Sequence, residues 1–439
     1  MRIHTVGGFS EVGKNMTCVE LDKDSFIFDC GLYLPPIVEL EESERVYSEK
    51  KLRRIGAVPN DNVLGKIKNK VRGIFVSHAH LDHVGAVPWI SDRYKADIFG
   101  TPFTTEVLKA ILKDENKRIR NKVTSINPNS SFKVGKYKVE FINITHSTIQ
   151  TSLIALHTKK GVILYANDFK LDNSPILGKK PAYDKIKKIA KQGVKALVLD
   201  SLYSGTDRKT PSEKIARDLL EEVLLTVENK NAGLVVTTFS SHIARLKSIV
   251  DFGKLLGREV VFVGRSLNKY VSSAKNAGLC PFQKDVKIAS YKSHMRRLLK
   301  KINKNREKYL LVCTGHQGEP GSILERLSRN QLPFVFNTKD HVVFSSSVIP
   351  TEINKENRLK METRLRKKGV RIFDNVHVSG HAGREDLRDL VEMIQPEHLI
   401  PAHGDLEKTR PMAELAKELG YKMNKTCHLM TDGKKLNIK

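Results

Sequence analysis

The chain has 439 residues, of which 40% are hydrophobic, and a formal net charge of +27 from 76 Lys and Arg against 49 Asp and Glu. That length exceeds one small core, and that apolar content excludes a largely disordered chain. No apolar run reaches the ~18–20 residues of a membrane span, the opening MRIHTVGGFS lacks the apolar core of a secretory signal, and Cys18, Cys30, Cys280, Cys313 and Cys427 form no CxxC pair, so a cytoplasmic protein of two structural units with no membrane partner is expected.

In chain order, strand-like runs come first: FIFDCG (26–31), VRGIFVSH (71–78), KVEFINITH (138–146), GVILYAND (161–168) and KALVLDS (195–201). Helical apolar spacing lies between some of them, at 102–113 and 183–192. From about residue 211 the pattern becomes βα-alternating. TPSEKIARDLLEEVLLTV opens with Thr210 and Glu213 at capping-box spacing and continues as an amphipathic helix. Strand-like GLVVTTF, helical SHIARLKSIVDFGKLL, strand-like EVVFVG and a strongly basic stretch follow. This segment reads as a separate nucleotide-binding-type α/β layer. Strand and loop return from about 370 in RIFDNVHVSGH and HLIPAHGD, so the simplest partition is a first domain interrupted by an inserted one.

Chemistry-bearing residues recur immediately after apolar runs: Asp29, His78, His146, Asp168, Asp200 and His403. Ends of neighbouring strands converge in space, and ligands of open α/β folds collect there. The densest cluster is IFVSHAHLDHVGAVPW (74–89). His78 and His80, two apart, point the same way in extended chain, while Asp82 and His83 begin an expected helix, DHVGAVPWIS, and turn toward a second centre. Imidazole with carboxylate suits zinc, manganese or iron, and the lack of a cysteine ligand argues against a structural zinc site. Six or seven such groups exceed one tetrahedral site, whereas two metals with a bridging carboxylate use them all. Without a metal the gathered polar groups would be desolvated and poorly paired. His157, His398 and His428, lone histidines beside apolar runs, read as structural.

His-x-His-x-Asp-His is the signature of the metallo-β-lactamase superfamily, whose fold is an αββα sandwich. GGFSEVGKN (7–15), DCGLYLP (29–35), NDFKLD (167–172), TGHQGEP (314–320), HVSGHAGREDL (377–387) and PAHGD (401–405) resemble segments of the ribonuclease J family, β-CASP nucleases of that superfamily. With neither an upstream RNA-binding extension nor the bacterial C-terminal domain in this sequence, it is most similar to the compact archaeal form. The resemblance implies a metallo-β-lactamase domain over 1–205 and 369–439 and a β-CASP insert over 206–368. It further implies two divalent metal ions, zinc or alternatively manganese: His78, His80 and His146 on one, Asp82, His83 and His403 on the other, Asp168 bridging. Asp29 would orient ligand histidines from behind. Asp200 would orient His381 near the scissile phosphate, with Asp82 beside the reacting atoms, and His403 favours RNA over DNA. DSLYSG (200–205), THSTIQTS (145–152) and IPTE (349–352) depart from the family's usual wording without removing a ligand.

The implied reaction is two-metal phosphodiester hydrolysis of single-stranded RNA, from the 5′ end and with preference for a 5′-monophosphate, alongside possible internal cleavage. His377, Ser379 and the amide of Gly380, with Ser240 and Ser241, suit the oxygens of a terminal phosphate. The charge excess favours a polyanionic partner, and the basic stretches 287–308 and 357–371 are candidates to guide its backbone, each equally readable as an amphipathic helix with a solvated face. Relatives of this kind often form homodimers. A predominantly endonucleolytic enzyme, a small-molecule metallo-hydrolase of the same superfamily and a silent RNA-binding scaffold are the alternatives; the insert and the charge speak against the second, the full set of ligands against the third.

Overall fold

A computed structural model describes residues 1–38, 47–349 and 351–439; Pro350 of the IPTE run lies outside the described residues. The chain forms two compact units, one of Met1–Asn173, Gly178–Thr210 and Gly380–Lys439, the other of Ser174–Leu177 and Pro211–Ser379.

In the first unit, β1 (Arg2–Gly7), β2 (Met16–Glu20), β3 (Ser25–Phe28), β4 (Val71–Phe75), β5 (Asp97–Gly100) and β6 (Val123–Ser125) lie side by side in chain order. Pairing is antiparallel as far as β3 and parallel from β3 to β6. The second sheet begins with an antiparallel meander, β7 (Ser130–Val134), β8 (Tyr137–Asn143), β9 (Ser152–Thr158) and β10 (Gly161–Ala166). Helix Tyr183–Ala190 then crosses to β11 (Val194–Asp200), parallel to β10.

The second unit holds β12 (Leu234–Thr237), β13 (Glu259–Val263), β14 (Val286–Ala289), β15 (Tyr309–Cys313), β16 (His341–Phe344) and β17 (Arg371–Phe373). They form one wholly parallel sheet in the order β14-β13-β15-β12-β16-β17. The chain then returns to the first unit. There β18 (His398–Ala402) lies parallel to β11 at the edge of the second sheet, and β19 (Lys434–Asn437) pairs with β1.

Period-two alternation decides how the first unit packs. One set of residues, including Phe26, Phe28 and Phe75 from the first sheet and Tyr137, Phe141, Ile154, Tyr165 and Val198 from the second, fills the space between the sheets. Residues of opposite parity on the second sheet (Ile142, Leu153, Leu164, Leu197, Leu399) share a core with Leu387 and Leu390 of helix Arg384–Ile394 and Met412 and Leu415 of helix Leu406–Glu418. Helix Pro102–Asp114 packs on β5 and β6 of the first sheet. The result is an αββα sandwich. Phe75, the last residue of β4, stacks against Phe26 and meets Phe28, Phe99, Phe132 and Phe141. The strand that leads into the histidine cluster is thereby anchored in an aromatic seam.

Two local expectations change. The run DHVGAVPWIS does not form one helix but two single turns, Leu81–Val84 and Val87–Ile90. Pro88 has no N–H to donate back to Val84, and its ring would clash with that carbonyl. The Thr210–Glu213 capping box does not form either. Ser212 caps helix Glu213–Glu221, accepting from Lys214 N, while the Glu213 carboxylate turns inward to the buried Arg245.

Candidate metal centre

All six strand-end residues singled out above meet at one edge of the sandwich. Asp29 follows β3, His78 follows β4 after two residues, and Asp168 follows β10 after one. Asp200 ends β11 and His403 follows β18. Asp29, Asp168 and His403 have φ of +60°, +60° and +63°. This left-handed backbone re-aims each side chain away from the direction its strand would impose, a strain characteristic of functional sites.

Three groups of donor atoms result: His78, His80, His146 and Asp168; Asp82, His83, Asp168 and His403; and Asp168, Asp200 and His381. Asp168 belongs to all three. Its Oδ2 lies 3.1 Å from His83 Nε2, 3.5 Å from His78 Nε2, 3.6 Å from His146 Nε2 and 3.9 Å from His381 Nε2. His78, His83, His146, Asp168 and His403 are buried, while His80, Asp82 and His381 are partly exposed.

Outer partners fix which ring nitrogens face inward. His146 Nδ1 donates to Gly380 O at 2.7 Å, which leaves the Nε2 lone pair pointing into the site. A Cβ on Gly380 would stand 2.8 Å from Ser147 Oγ, so a residue without one suits this close approach. Ser77 Oγ donates to Asp29 Oδ2 at 2.8 Å and accepts from His78 Nδ1 at 3.0 Å, which turns the Nε2 lone pair of His78 inward too. His83 Nδ1 donates to Asp29 Oδ2 at 2.7 Å. Asp29 thus orients both His83 and, through Ser77, His78.

The inward lone pairs are the test of fit for a cation. His78 Nε2 and His146 Nε2 each lie 3.1 Å from His80 Nδ1, which carries at most one hydrogen and so cannot satisfy both. The Nε2 of His83 faces the carboxylates of Asp168 and Asp82 (3.4 Å). Asp168 Oδ1 is buried and accepts no hydrogen bond, with His403 Nδ1 at 3.3 Å. Such an arrangement is costly unless a positive ion sits among the donors, and the donor set of neutral imidazoles and carboxylates suits a divalent metal.

Electrostatics point the same way. Burial, with the neighbouring His83, holds His78 well below its usual range, and burial holds His80 down to about 4 against the pull of Asp82 and Asp168. Burial also lowers His146 well below the ordinary value. These three imidazoles are therefore neutral at pH 7, the form a metal requires. For His83 burial is outweighed by Asp168, Asp82 and Asp29, which raise it well above the usual value. His381 behaves similarly: against burial, Asp200 and Asp168 lift it to about 9. Asp82, against the desolvation that would raise it, is drawn down to about 2 by His83.

Several residues that complete the site carry no obvious ligand chemistry in the sequence. Asn15 donates through Nδ2 to Asp82 O (3.0 Å) with the same nitrogen 3.0 Å from His83 Nε2, and its Oδ1 lies 3.1 Å from His403 Nδ1 and accepts from Asn167 Nδ2. Both asparagines stand in the quoted runs GGFSEVGKN and NDFKLD, the one signal that could have singled them out. Gly31 is the other. A Cβ there would lie 1.6 Å from Asp82 O and 2.8 Å from His83 N, so the loop carrying both ligands rests directly on this glycine. Gly31→Ala is expected to push that loop outward and to lower affinity for divalent cation about 10- to 100-fold; isothermal titration of the metal-free variant measures this, and unchanged affinity would refute the role.

In the second unit, the helix Ile243–Leu255 is capped by His242, whose Nδ1 accepts from Arg245 N at 3.3 Å, so the hydroxyls of Ser240 and Ser241 are not used for capping. His377 Nδ1 lies 3.3 Å from Nη1 of the buried Arg245. His157 pairs with Glu140, and His398 with His428. The five cysteines are free and buried. Among the described residues no helix is long and apolar enough to cross a membrane.

A two-sheet sandwich with this histidine and aspartate cluster at one strand edge defines a metallo-hydrolase of the metallo-β-lactamase kind. Family profiles agree along the chain: "Metallo-beta-lactamase superfamily" matches residues 10–224, "Ribonuclease J, beta-CASP domain" 231–360, and "Zn-dependent metallo-hydrolase RNA specificity domain" 368–428. The ribonuclease J of Methanocaldococcus jannaschii is 42% identical, with 100% of this chain and 99% of that one covered; that of Pyrococcus abyssi is 41% identical, with 100% and 97% covered. The chain belongs to the ribonuclease J family. It is 27% identical to the Helicobacter pylori ribonuclease J, of which it spans 61%. A crystal structure of an Enterococcus faecalis protein of unknown function shares the fold, with a TM-score of 0.66 at 16% identity over 99% of both chains.

Proposed function

We propose that this protein is a metal-dependent ribonuclease that degrades single-stranded RNA from the 5′ end and prefers a 5′-monophosphate. The observation that carries the hydrolytic part is Asp168, buried and shared between two flanking sets of donors. In this reading His78, His80 and His146 hold one cation, Asp82, His83 and His403 a second, and Asp168 both. Two divalent ions, zinc or manganese, would supply an activated water near neutral pH and neutralise charge on the phosphate. Asp29 and Ser77 hold the imidazoles in their ligating tautomers. Asp200 accepts from His381 Nδ1 at 2.9 Å, so His381 carries its second proton on Nε2, the atom that would protonate the departing 3′ oxygen as the P–O3′ bond breaks, an effect typically worth ~10²–10⁴-fold. Each cut then leaves a 5′-phosphate on the shortened RNA, regenerating the end from which the next begins.

For that end we assign His377, Ser379, Gly380, Ser240 and Ser241 as phosphate contacts, on the chemistry of hydroxyls and glycine amides. The domain reading follows the family: a metallo-β-lactamase domain over 1–205 and 369–439 with a β-CASP insert over 206–368. A cytoplasmic location is supported by the five free cysteines, and a homodimer is carried over from the resemblance. The test uses one 5′-labelled RNA bearing a monophosphate and its triphosphate twin, with zinc or manganese, and His80→Ala as control. Early release of labelled mononucleotide from the monophosphate form alone is expected. Defined internal fragments from both would make the enzyme an endonuclease, and no cleavage of either would overturn the reading.

A further inference from the structure

The second unit presents a cationic helix face on which, among the described residues, Lys301 lies over the Tyr309 ring at 5.9 Å and the helix supplies no acid of its own. Helix Lys292–Lys304 packs Met295, Leu299 and Ile302 into the core. Lys292, Arg296, Arg297, Lys300, Lys301 and Lys304 are all exposed, and the helix contains no Asp or Glu. Lys292, Arg296, Lys300 and Lys304 recur every fourth residue and therefore form a single row, with steps of about 6 Å along the axis. Arg297 and Lys301 flank that row. Like charges at this spacing destabilise a helix by a few tenths of a kcal/mol per pair, and a local rule broken without compensation in the fold points to a partner.

Helix Glu352–Lys367, in the same unit, shows what the ordinary solution looks like. It is also rich in Lys and Arg, but Lys355 pairs with Glu352, Lys360 with Glu356, and Arg358 and Arg366 with Glu362. A cation-rich surface serving only solubility would be expected to balance itself in this way. The first helix also begins at Tyr291, whose side chain caps nothing and whose surface is 78% exposed. A bare aromatic ring directly beside a cationic row offers a base-stacking platform next to a phosphate track.

We propose that the face Tyr291–Lys292–Arg296–Lys300–Lys304 is a docking site for the backbone of single-stranded RNA, with Tyr291 stacking on one base. The row spacing resembles the separation of successive phosphates in an extended single strand, and the absence of any base-reading amide or carboxylate on the row makes the contact independent of sequence. Helix Glu352–Lys367 takes no part. The proposal rests on the reading of the protein as an RNA-acting enzyme, and its test separates the two.

Binding of a 30-nucleotide unstructured RNA to the metal-free protein is measured against salt concentration, and cleavage of the same RNA by the metal-loaded protein is measured separately. Replacing Lys292, Arg296, Lys300 and Lys304 together with Gln, a good helix former, is expected to reduce the slope of log K against log salt by about 2 to 3, at about 0.7 per phosphate contact. Tyr291→Ala is expected to weaken binding about tenfold with the slope unchanged. Replacing Lys355, Lys360, Arg366 and Lys367 with Gln removes the same charge and is expected to leave the slope within 0.5 of the original. Equal reductions from the two quadruple variants, or none from the first, overturn the docking site. If the slope responds as expected but the unaltered protein cuts no RNA, the docking site stands and the ribonuclease reading fails.

Discussion

Asp168→Asn is expected to leave the protein folded, to lower bound divalent cation from two per chain to one or none, and to cut RNA hydrolysis by about 10³-fold or more. The size follows from position. Every set of donors at the strand edge includes Asp168, whose Oδ2 lies within 3.9 Å of four imidazole nitrogens. An asparagine keeps the shape but carries no charge and offers one acceptor oxygen instead of two. Elemental analysis after gel filtration reads the metal, and a labelled RNA reads the activity. Retention of both metal and activity would show that this carboxylate is a structural hydrogen-bond acceptor and nothing more.

Glu213→Ala is expected to destabilise the second unit by about 3–5 kcal/mol, because it leaves a fully buried guanidinium without its counter-charge. Arg245 is 0% exposed and is gripped by Glu213 Oε1 at 2.6 Å and Oε2 at 2.8 Å. Its Nη1 donates to Ser345 O and Oγ and reaches His377 Nδ1, so the pair also positions one of the proposed phosphate contacts. Burial would raise the Glu213 carboxyl, but Arg245 and His242 draw it well below the usual carboxylate range. A group whose folded pKa is depressed stabilises fully above its unfolded value, about 4.3, and loses that contribution as pH falls toward the folded value. The stability gap between the unaltered and Glu213→Ala proteins is therefore widest above about pH 5 and narrows below about pH 4. Urea unfolding at several pH values tests both claims; a gap under about 1 kcal/mol at pH 7 would contradict the first.

Much of the site is legible in the sequence because its ligands follow strands, and strand ends converge whatever loops separate them. Asp29, His78, His146, Asp168, Asp200 and His403 all obey that rule, 374 positions apart from first to last, and the fold gathers them at one edge. What stays hidden is the layer that aims them. Asn15, Ser77 and Asn167 act by hydrogen bonds that exist only once the strands are assembled, and Gly31 matters because a backbone carbonyl from fifty residues on rests against it. The failed capping box has the same origin: Thr210 and Glu213 satisfy the local pattern, but a buried arginine outcompetes a helix terminus for the carboxylate. Likewise, two basic stretches look alike in sequence, and only side-chain pairing separates the helix whose cations meet its own glutamates from the bare one.

The most direct test of the central claim is a metal titration of the chelator-stripped protein with zinc and, separately, manganese, following cleavage of a single-stranded RNA as each equivalent is added. Two divalent ions held by His78, His80, His146, Asp82, His83, His403 and the shared Asp168 predict no cleavage without metal and activity that levels off at two equivalents per chain. Cleavage that persists in the stripped protein, or activity complete at one equivalent, would contradict a centre built on a shared carboxylate.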